Sequence, residues 1–248
     1  MLARKHYANA PITEGLIDIR VEPGPDITLE SLDIVCQQAA AEYPTREDRT
    51  SSEFQFPVDA RGEASTKHTK VGYLLRSADG KQVFQARLDG FTLSRLKPYQ
   101  NWTALRDEAK RLWTIYRESV RPIRVTRVAV RYINQIDMPL PIIDFKDYLR
   151  TVPEVSPELP QGLSGFLMQL QIPQLERDTV LVLTEALARP SKPDTASVIL
   201  DIDLFRERAD YSSDEDVWGL LEAFRDRKNE VFESCITDKA RQLFGPVS

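Results

Sequence analysis

The clearest alternation of apolar and polar positions runs from Gly90 to Asn134. After a short strand-like segment, apolar side chains recur at helical spacing from Thr103 to Val120, and strict alternation follows from Arg124 to Ile136. The helical spacing predicts an amphipathic helix that Asn101 caps and Pro122 ends. Alternation on either side predicts strands, so this stretch is expected to be strand, helix, strand.

The chain before Gly90 contains the same kinds of pattern. Alternation predicts a strand from Ile12 to Val21, and helical spacing predicts a helix from Thr28 to Tyr43. The polar segment from Thr45 to Lys70 is interpreted as a strand, carried by Phe54, Phe56 and Val58, together with a mobile loop. Two further strands, Val71 to Arg76 and Gln82 to Leu88, flank the hairpin signal Asp79-Gly80.

The second half of the chain is similar to the first in outline. Pro139 and Pro141 follow a strand as Pro23 and Pro25 follow theirs, and a segment from Ile143 to Tyr148 stands where the first helix begins. Patterning then predicts strands at 166–172, 179–188 and 197–205 and a long helix from 216 to about 244. This order predicts a tandem duplication with halves 1–122 and 123–248, although two unrelated halves with a chance similarity stay open.

Each half would be strand, helix, three or four antiparallel strands and helix. The halves are expected to pack as one unit, because neither alone could easily cover its sheet and both helices. The predicted fold is α+β, with a curved antiparallel sheet and helices on one face, in a TBP-like or helix-grip topology. An exposed edge strand at each end of such a sheet favours self-pairing, so a homodimer and a monomer both stay open.

The composition limits the classes of protein to which this chain could belong. The 248 residues are 42% apolar and 29% charged, as in ordinary globular proteins, and no apolar run reaches the length of a signal peptide or a membrane span. We therefore expect a cytoplasmic protein without membrane contact. Cys36 and Cys235 are interpreted as reduced core thiols, with a disulfide or a reactive thiol as the alternative. His6 and His68 lie in no metal or triad pattern, and nucleotide-loop and hydrolase motifs are absent, which argues against an enzyme and predicts no cofactor.

Positive charge is concentrated in the central stretch. Between Phe91 and Tyr132 there are ten Lys or Arg and three Asp or Glu, in a chain whose net charge is −5. Guanidinium and aromatic groups on a common sheet face could receive phosphate, carboxylate or a nucleic acid strand. The candidate ligand-binding or partner-binding residues are Arg95, Tyr99, Trp102, Arg127, Arg131 and Asn134.

Two features offer alternatives to that binding surface. The arginines could instead form ion pairs with acids of neighbouring strands, such as Glu14, Asp18, Asp201 or Asp203. Asp201 and Asp203 also alternate with Ile202 and Leu204, which places both carboxylates on one strand face. Such a pair could hold a divalent cation or share a proton, although it is more commonly the solvated side of a strand.

The wording FTLSRLKPYQNW, followed by a helix with Leu112-Trp113 and Tyr116 and then by RVAVRYIN, resembles a sporadically distributed prokaryotic family of uncharacterised proteins of about this length. Tyr7 to Ile12 and Phe232 to Asp238 are also similar to that family, so the resemblance spans nearly the whole chain. It implies an intact unit of bacterial or archaeal origin and an accessory gene, in a toxin-antitoxin or phage-defence setting. It implies no activity, cofactor or catalytic residue.

Three functional hypotheses follow. The first is a non-enzymatic binding module that engages an acidic protein partner or a small anionic ligand, through the sheet or a cavity between sheet and helices. The second is nucleic acid binding with a steep salt dependence. The third is a metal-assisted enzyme that uses Asp201 and Asp203. The basic surface of the second hypothesis comprises Arg95, Arg106, Lys110, Arg111, Arg127 and Arg131.

Overall fold

The computed structural model describes residues 6–55, 65–142, 144–174, 178–207, 211 and 213–247, with the side chains of 52–55 and 65–67 excepted. The described chain is α+β, as predicted. Its helices are α1 (Leu29–Ala39), α2 (Trp102–Val120), α3 (Asp214–Cys235) and α4 (Asp238–Phe244), with a 3₁₀ turn at Phe145–Asp147. Its strands are β1 (His6–Tyr7), β2 (Ile12–Glu22), β3 (Thr45–Gln55), β4 (Ser65–Arg76), β5 (Gln82–Arg87), β6 (Gly90–Leu96), β7 (Arg124–Pro139), β8 (Leu167–Gln174), β9 (Thr179–Ala188), β10 (Thr195–Glu207) and β11 (Pro246–Val247).

One antiparallel sheet of nine strands organises the described chain. Its order is β3-β4-β5-β6-β2-β7-β10-β9-β8, so the strands that open the two predicted halves, β2 and β7, lie side by side at its centre. The sheet is continuous across that seam. A separate two-stranded sheet joins β1 to β11, with Tyr7 opposite Pro246.

The core lies between the four helices and one face of this sheet. Alternate residues of β2 and β7, such as Ile17, Ile19 and Val130, belong to the same buried cluster as the inward side chains of all four helices. We call this the helix face. The other face, called the open face, carries Asp18 on β2 and Arg127 and Arg131 on β7, and no described helix contributes its buried side chains to it.

Local sequence signals explain why α2 begins and ends where it does. Asn101 Oδ1 accepts a hydrogen bond from Ala104 N (2.8 Å), which satisfies a backbone donor of the first turn. At the other end Arg121 adopts a left-handed conformation (φ 47°), and Pro122 prevents a further turn. The predicted cap and stop are therefore confirmed. Seven side chains of α2 are buried: Trp102, Leu105, Ala109, Leu112, Trp113, Tyr116 and Val120.

Two predictions about the first half are corrected. The polar segment from Thr45 to Lys70 contains β3 and the beginning of β4, which pair with each other antiparallel; Phe56 and Val58 lie outside the described residues. Charged side chains obscured the strand because β3 is a sheet edge whose residues are mostly exposed. The helix predicted from Thr28 to Tyr43 is shorter, since α1 ends at Ala39.

The helices predicted in the second half also differ from those observed. The segment from Phe145 to Asp147 is only a 3₁₀ turn, and Ile143 lies outside the described residues. The long helix predicted from 216 to 244 is two helices. Ile236 is extended (φ −112°, ψ 156°) and forms a β-bridge with Leu149, and Thr237 Oγ1 then caps α4 by accepting from Ala240 N. A tertiary contact thus interrupts a locally helical pattern.

Both cysteines are buried and free, as predicted. Burial raises the pKa of the Cys36 thiol to about 11 and that of Cys235 to about 12, so neither thiol is activated. None of the helices in the described ranges combines the length and apolar character needed to cross a membrane.

Gly15 makes room for two tyrosines beneath the centre of the sheet. A Cβ atom at Gly15 would lie 2.8 Å from Tyr132 Cε1 and 2.9 Å from Tyr99 Cε2, both closer than van der Waals contact allows. We expect Gly15→Ala to lower the free energy of unfolding by roughly 1–3 kcal/mol through overpacking. Gly219→Ala is the control, because a Cβ there meets nothing within 4 Å and helix propensity favours Ala. Urea unfolding of both variants measures the difference, and equal midpoints would contradict the expectation.

Candidate functional site

A network of ion pairs crosses the centre of the open face. Register places Asp18 of β2 opposite Thr92 of β6, and Arg131 of β7 opposite Asp203 of β10. Neighbouring strands therefore bring residues distant in sequence onto one surface. The ion-pair network comprises Asp18, Arg87, Thr92, Arg127, Arg131, Asp201 and Asp203.

Asp18 is the hub of the network and is buried. Its Oδ1 accepts from Arg87 Nη2 (3.0 Å) and from Thr92 Oγ1 (2.6 Å), and its Oδ2 accepts from Arg127 Nη1 (2.9 Å). Burial alone would raise the pKa of this carboxyl, but Arg87, Thr92 and Arg127 outweigh burial and hold the pKa below its usual value. The carboxylate thus ties β2 to β5, β6 and β7.

Asp203 and Asp201, the other acids of the network, each pair with one arginine. Arg127 Nη2 lies 3.4 Å from Asp203 Oδ2, whereas Asp203 Oδ1 is buried without a partner among the described residues, and burial raises the pKa of this carboxyl. Arg131 donates to Asp201 through Nε (2.9 Å) and Nη2 (2.5 Å). The Arg131 side chain is 43% exposed, against 12% for Arg127, and its Nη1 donates to no described residue. Arg131 is therefore the accessible cation of this network.

Of the three arginines predicted to share a face, only Arg127 and Arg131 do so. Arg95 lies opposite Gly15, which in turn lies opposite Tyr132, so its side chain belongs to the helix face. The alternative of salt-bridged arginines describes Arg127 and Arg131, since each pairs with the predicted acids Asp18, Asp203 or Asp201. Arg95 Nε is buried without a partner in the described chain.

The remaining predicted residues also lie away from the open face. Trp102 is buried, and its Nε1 donates to Glu222 Oε2 (2.9 Å) on α3, so it joins two helices and does not present an exposed ring. Tyr99 and Tyr132 share a hydrogen bond between their hydroxyl groups (2.7 Å). Asn134 is buried and donates to Leu200 O (3.0 Å). The six predicted residues are thus divided between two faces.

Two buried ionisable groups on the helix face escaped the sequence-based prediction. Lys228 of α3 places Nζ 3.7 Å from the ring centroid of Tyr132, and Glu185 of β9 is fully buried with neither carboxyl oxygen hydrogen-bonded to a described residue. Burial raises the pKa of Glu185 to about 7. The missed signal was a charged residue in an apolar pattern, since Glu185 lies in the same every-second-residue series as Leu181, Leu183 and Leu187.

The environment of Lys228 destabilises the charged ammonium form relative to an exposed lysine. Burial, followed by the nearby charge of Arg225, lowers its pKa to about 7. A cation over an aromatic face is stabilised by about 2 kcal/mol when desolvated. Lowering the pKa from 10.5 to about 7 corresponds to about 5 kcal/mol in favour of the neutral form, so burial outweighs the ring.

The Asp201 and Asp203 pair is confirmed on one strand face, but arginines occupy it. Asp201 is bound by Arg131 and Asp203 is contacted by Arg127. Nowhere in the described ranges do three or more His, Cys, Asp or Glu side chains gather closely enough to hold a metal ion. A cation at this pair would have to displace a guanidinium group.

Removing the hub carboxylate tests its structural role. We expect Asp18→Asn to cost roughly 3–5 kcal/mol of unfolding free energy, because it leaves two nearly buried guanidinium groups without their shared partner. The exposed pair of Asp48 and Lys70 is the control, with about 0–1 kcal/mol expected for Asp48→Asn. Because the folded pKa of Asp18 is depressed, its contribution is present above the unfolded pKa of about 3.9 and is lost as pH falls through the folded value. Urea titrations at several pH values measure this, and an Asp18→Asn loss no larger than the control loss would contradict it.

Like Asp18, Lys228 is expected to make stability rise with pH, but in a higher pH range. Its folded pKa of about 7 lies below the unfolded value of about 10.4, so the unfolded chain binds more protons between these values. Stability should therefore rise with pH by up to about 1.4 kcal/mol per unit more in the wild type than in Lys228→Met. Guanidinium unfolding at pH 7.5, 8.5 and 9.5 measures the difference. Parallel pH profiles of the two proteins would show that Lys228 is charged in the folded state.

Comparisons with known proteins add nothing to the interpretation of these contacts. No protein-family model matches the chain, and no curated protein sequence matches it significantly. The resemblance to a prokaryotic family, which spans nearly the whole chain, therefore remains a prediction. The roles of the network and of the two buried groups rest on their contacts alone.

Proposed function

We propose that the protein is a non-enzymatic binding module whose open face receives an anionic group, carboxylate or phosphate, of a partner at Arg131. The observation that carries the proposal is the geometry of this side chain. Asp201 fixes the guanidinium plane through Nε and Nη2, while Nη1 is left without a described partner on a half-exposed side chain. A guanidinium group that is already held in place by one carboxylate, and still has N–H donors to offer, loses little entropy when it binds a second anion.

The surroundings of Arg131 strengthen such a contact. Leu16 lies directly opposite on β2, and Ile133 is the next residue of β7 on the same face. Both are partly buried, so they reduce the solvent around the guanidinium group. A charge-assisted hydrogen bond is stronger where water is partly excluded. A single anionic group at the end of a side chain or ligand fits this arrangement.

The rest of the network limits the size of that anion. Arg87 and Arg127 are nearly buried and already bound to Asp18, and Asp89 and Glu207 add further negative charge beside them. The open face therefore does not present a continuous positive surface. This balance favours one anionic group of a protein or small molecule over a polyanion.

The nucleic acid alternative loses support from the same contacts. Arg106 pairs with Asp107 and Glu222, and Arg111 pairs with Glu108. Lys110 lies over the ring of Trp218, 5.3 Å from its centroid, and Arg95 is on the helix face. The six basic residues of that hypothesis thus do not share a surface, and four of them, Arg106, Arg111, Arg127 and Arg131, are paired with acids.

We further propose that the two halves, 1–122 and 123–248, arose by duplication and form a TBP-like sheet. The sheet order supports this, because from the central pair of β2 and β7 the other strands run outward in reverse chain order on both sides. Each half also closes with a long helix, α2 or α3. The second half departs from the repeat in having a 3₁₀ turn where α1 would recur and one strand fewer.

Arg131→Gln tests the proposed function. Inorganic phosphate and a hexaglutamate peptide serve as probes, and their binding is followed by NMR chemical shifts at low salt. We expect Arg131→Gln to weaken binding roughly tenfold to a hundredfold, which corresponds to the loss of one charge-assisted hydrogen bond. Arg20→Gln is the matched control, since Arg20 is an exposed cation on the same face with one long contact to Asp18 (3.5 Å).

Thermal denaturation by circular dichroism first establishes the temperature at which both variants are folded, because Arg131→Gln leaves Asp201 unpaired. Equal affinities of both variants for both probes, or no binding by the wild type, would refute the proposal. A single-stranded DNA oligonucleotide is the third probe. Binding of DNA that Arg131→Gln leaves unchanged and that salt removes would favour the nucleic acid alternative.

A further inference from the structure

Strand β8 is a free edge of the nine-stranded sheet. It pairs only with β9, and no other described segment continues the ladder beyond it. Its apolar side chains are unusually exposed, with Leu167 at 75%, Leu170 at 37% and Ile172 at 38%. Leu170 and Ile172 lie on the helix face, so the helices cover the sheet incompletely at this end.

The backbone of β8 offers a regular row of outward-facing groups. Leu187 N donates to Phe166 O (3.0 Å), which makes Phe166 and Leu187 a hydrogen-bonded pair. Because such pairs alternate along an antiparallel ladder, the even-numbered residues of β8 bond to β9 and the odd-numbered residues point their N–H and C=O groups away from it. Pro173 is odd-numbered, so its missing N–H costs the β8–β9 ladder nothing.

The edge carries no charged side chain, and Pro173 near its end is its one outward-facing residue without an N–H. Between Glu158 and Glu176 the sequence contains no charged residue, although 29% of the chain is charged. Exposed edges are commonly protected by charged side chains. The opposite edge is protected in this way, since β3 contains the consecutive charged residues Arg46, Glu47, Asp48 and Arg49. The two edges therefore differ in their capacity to pair.

We propose that two copies of this chain pair through β8, antiparallel, around a two-fold axis at Gln169. A neutral edge is complementary to itself, which a charged edge of one sign is not, and a two-fold contact closes after two copies. Gln169 would face Gln169 of the second copy, and Leu167 would face Gln171. Each of these pairs exchanges two backbone hydrogen bonds.

The position of the axis follows from the outward groups. With the axis at Gln169, the outward N–H groups of Leu167, Gln169 and Gln171 all meet carbonyl groups of the second copy. An axis at Leu170 would place Pro173 opposite Leu167 and lose a donor on each side. The helix-face side chains then also match, because Leu170 faces Met168 and Ile172 faces Phe166 of the second copy. Leu170 and Ile172, which are exposed in one copy, become buried against these side chains.

Sedimentation velocity of the full chain over a hundredfold range of concentration tests this proposal. We expect a species of twice the 28.3 kDa chain mass. Gln169→Lys places two like charges beside the axis and is expected to weaken the dimer at least about tenfold. It should leave the fold intact, because Gln169 is exposed and makes one side-chain hydrogen bond, to Thr184 Oγ1. Ile123→Lys is the matched control, since Ile123 is 59% exposed and lies outside β8.

Disulfide formation gives an independent readout of the register. Gln169→Cys should cross-link to itself on mild oxidation, whereas Ser51→Cys on the opposite edge should not; the two native cysteines are buried. A monomeric wild type, a dimer that Gln169→Lys and Ile123→Lys affect equally, or cross-linking through Ser51→Cys alone would each overturn the proposal. The test does not depend on the anion-binding function, because neither Gln169 nor Ile123 contacts Arg131.

Discussion

The carboxylate of Asp18 is the interaction on which the centre of this structure depends. From β2 it accepts hydrogen bonds from β5, β6 and β7, so one buried group links four strands at the centre of the sheet. A buried charge of this kind is stable only while every partner is present. It therefore specifies one register of the central strands, because a slip by one residue would turn Asp18 towards the apolar helix face. The hydrophobic core fixes the helices, and the ion pairs fix the pairing beneath them.

Local sequence signals predict much of the fold. The cap at Asn101 and the stop at Pro122 define α2, and alternation defines β2 and β7, because these signals need only near neighbours. The predictions failed where distant contacts decide. Ile236 leaves the helical pattern to bridge Leu149, and β3 is a strand because β4 pairs with it, despite its polar composition. No local signal contains the position of a partner strand.

The site was harder to predict for the same reason. Alternation within β7 correctly placed Arg127 and Arg131 together, but Arg95 is on another strand, and its face depends on the register of β6 against β2. Lys228 and Glu185 were detectable as charged residues in apolar patterns. Whether each is paired with a charge of opposite sign was not detectable, because the pattern of one helix or strand does not show which residues pack against it. The structure shows none for Glu185 among the described residues.

The arginines of the ion-pair network on the open face are already paired with acids. This face is therefore expected to bind anions selectively rather than strongly. If Arg87 or Arg127 turned to another anion, the buried Asp18 carboxylate would lose an ion-pair partner, at a large cost in free energy. Recognition is therefore concentrated at Arg131. Pairing through β8 would leave this surface accessible, because the two-fold axis of an antiparallel strand pair stands perpendicular to the sheet and both open faces then point the same way. A partner with two suitably spaced anionic groups would gain from the effective concentration of the second site. Weak individual contacts would then suffice for stable binding, which is consistent with a surface that exposes a single cation in each copy's network.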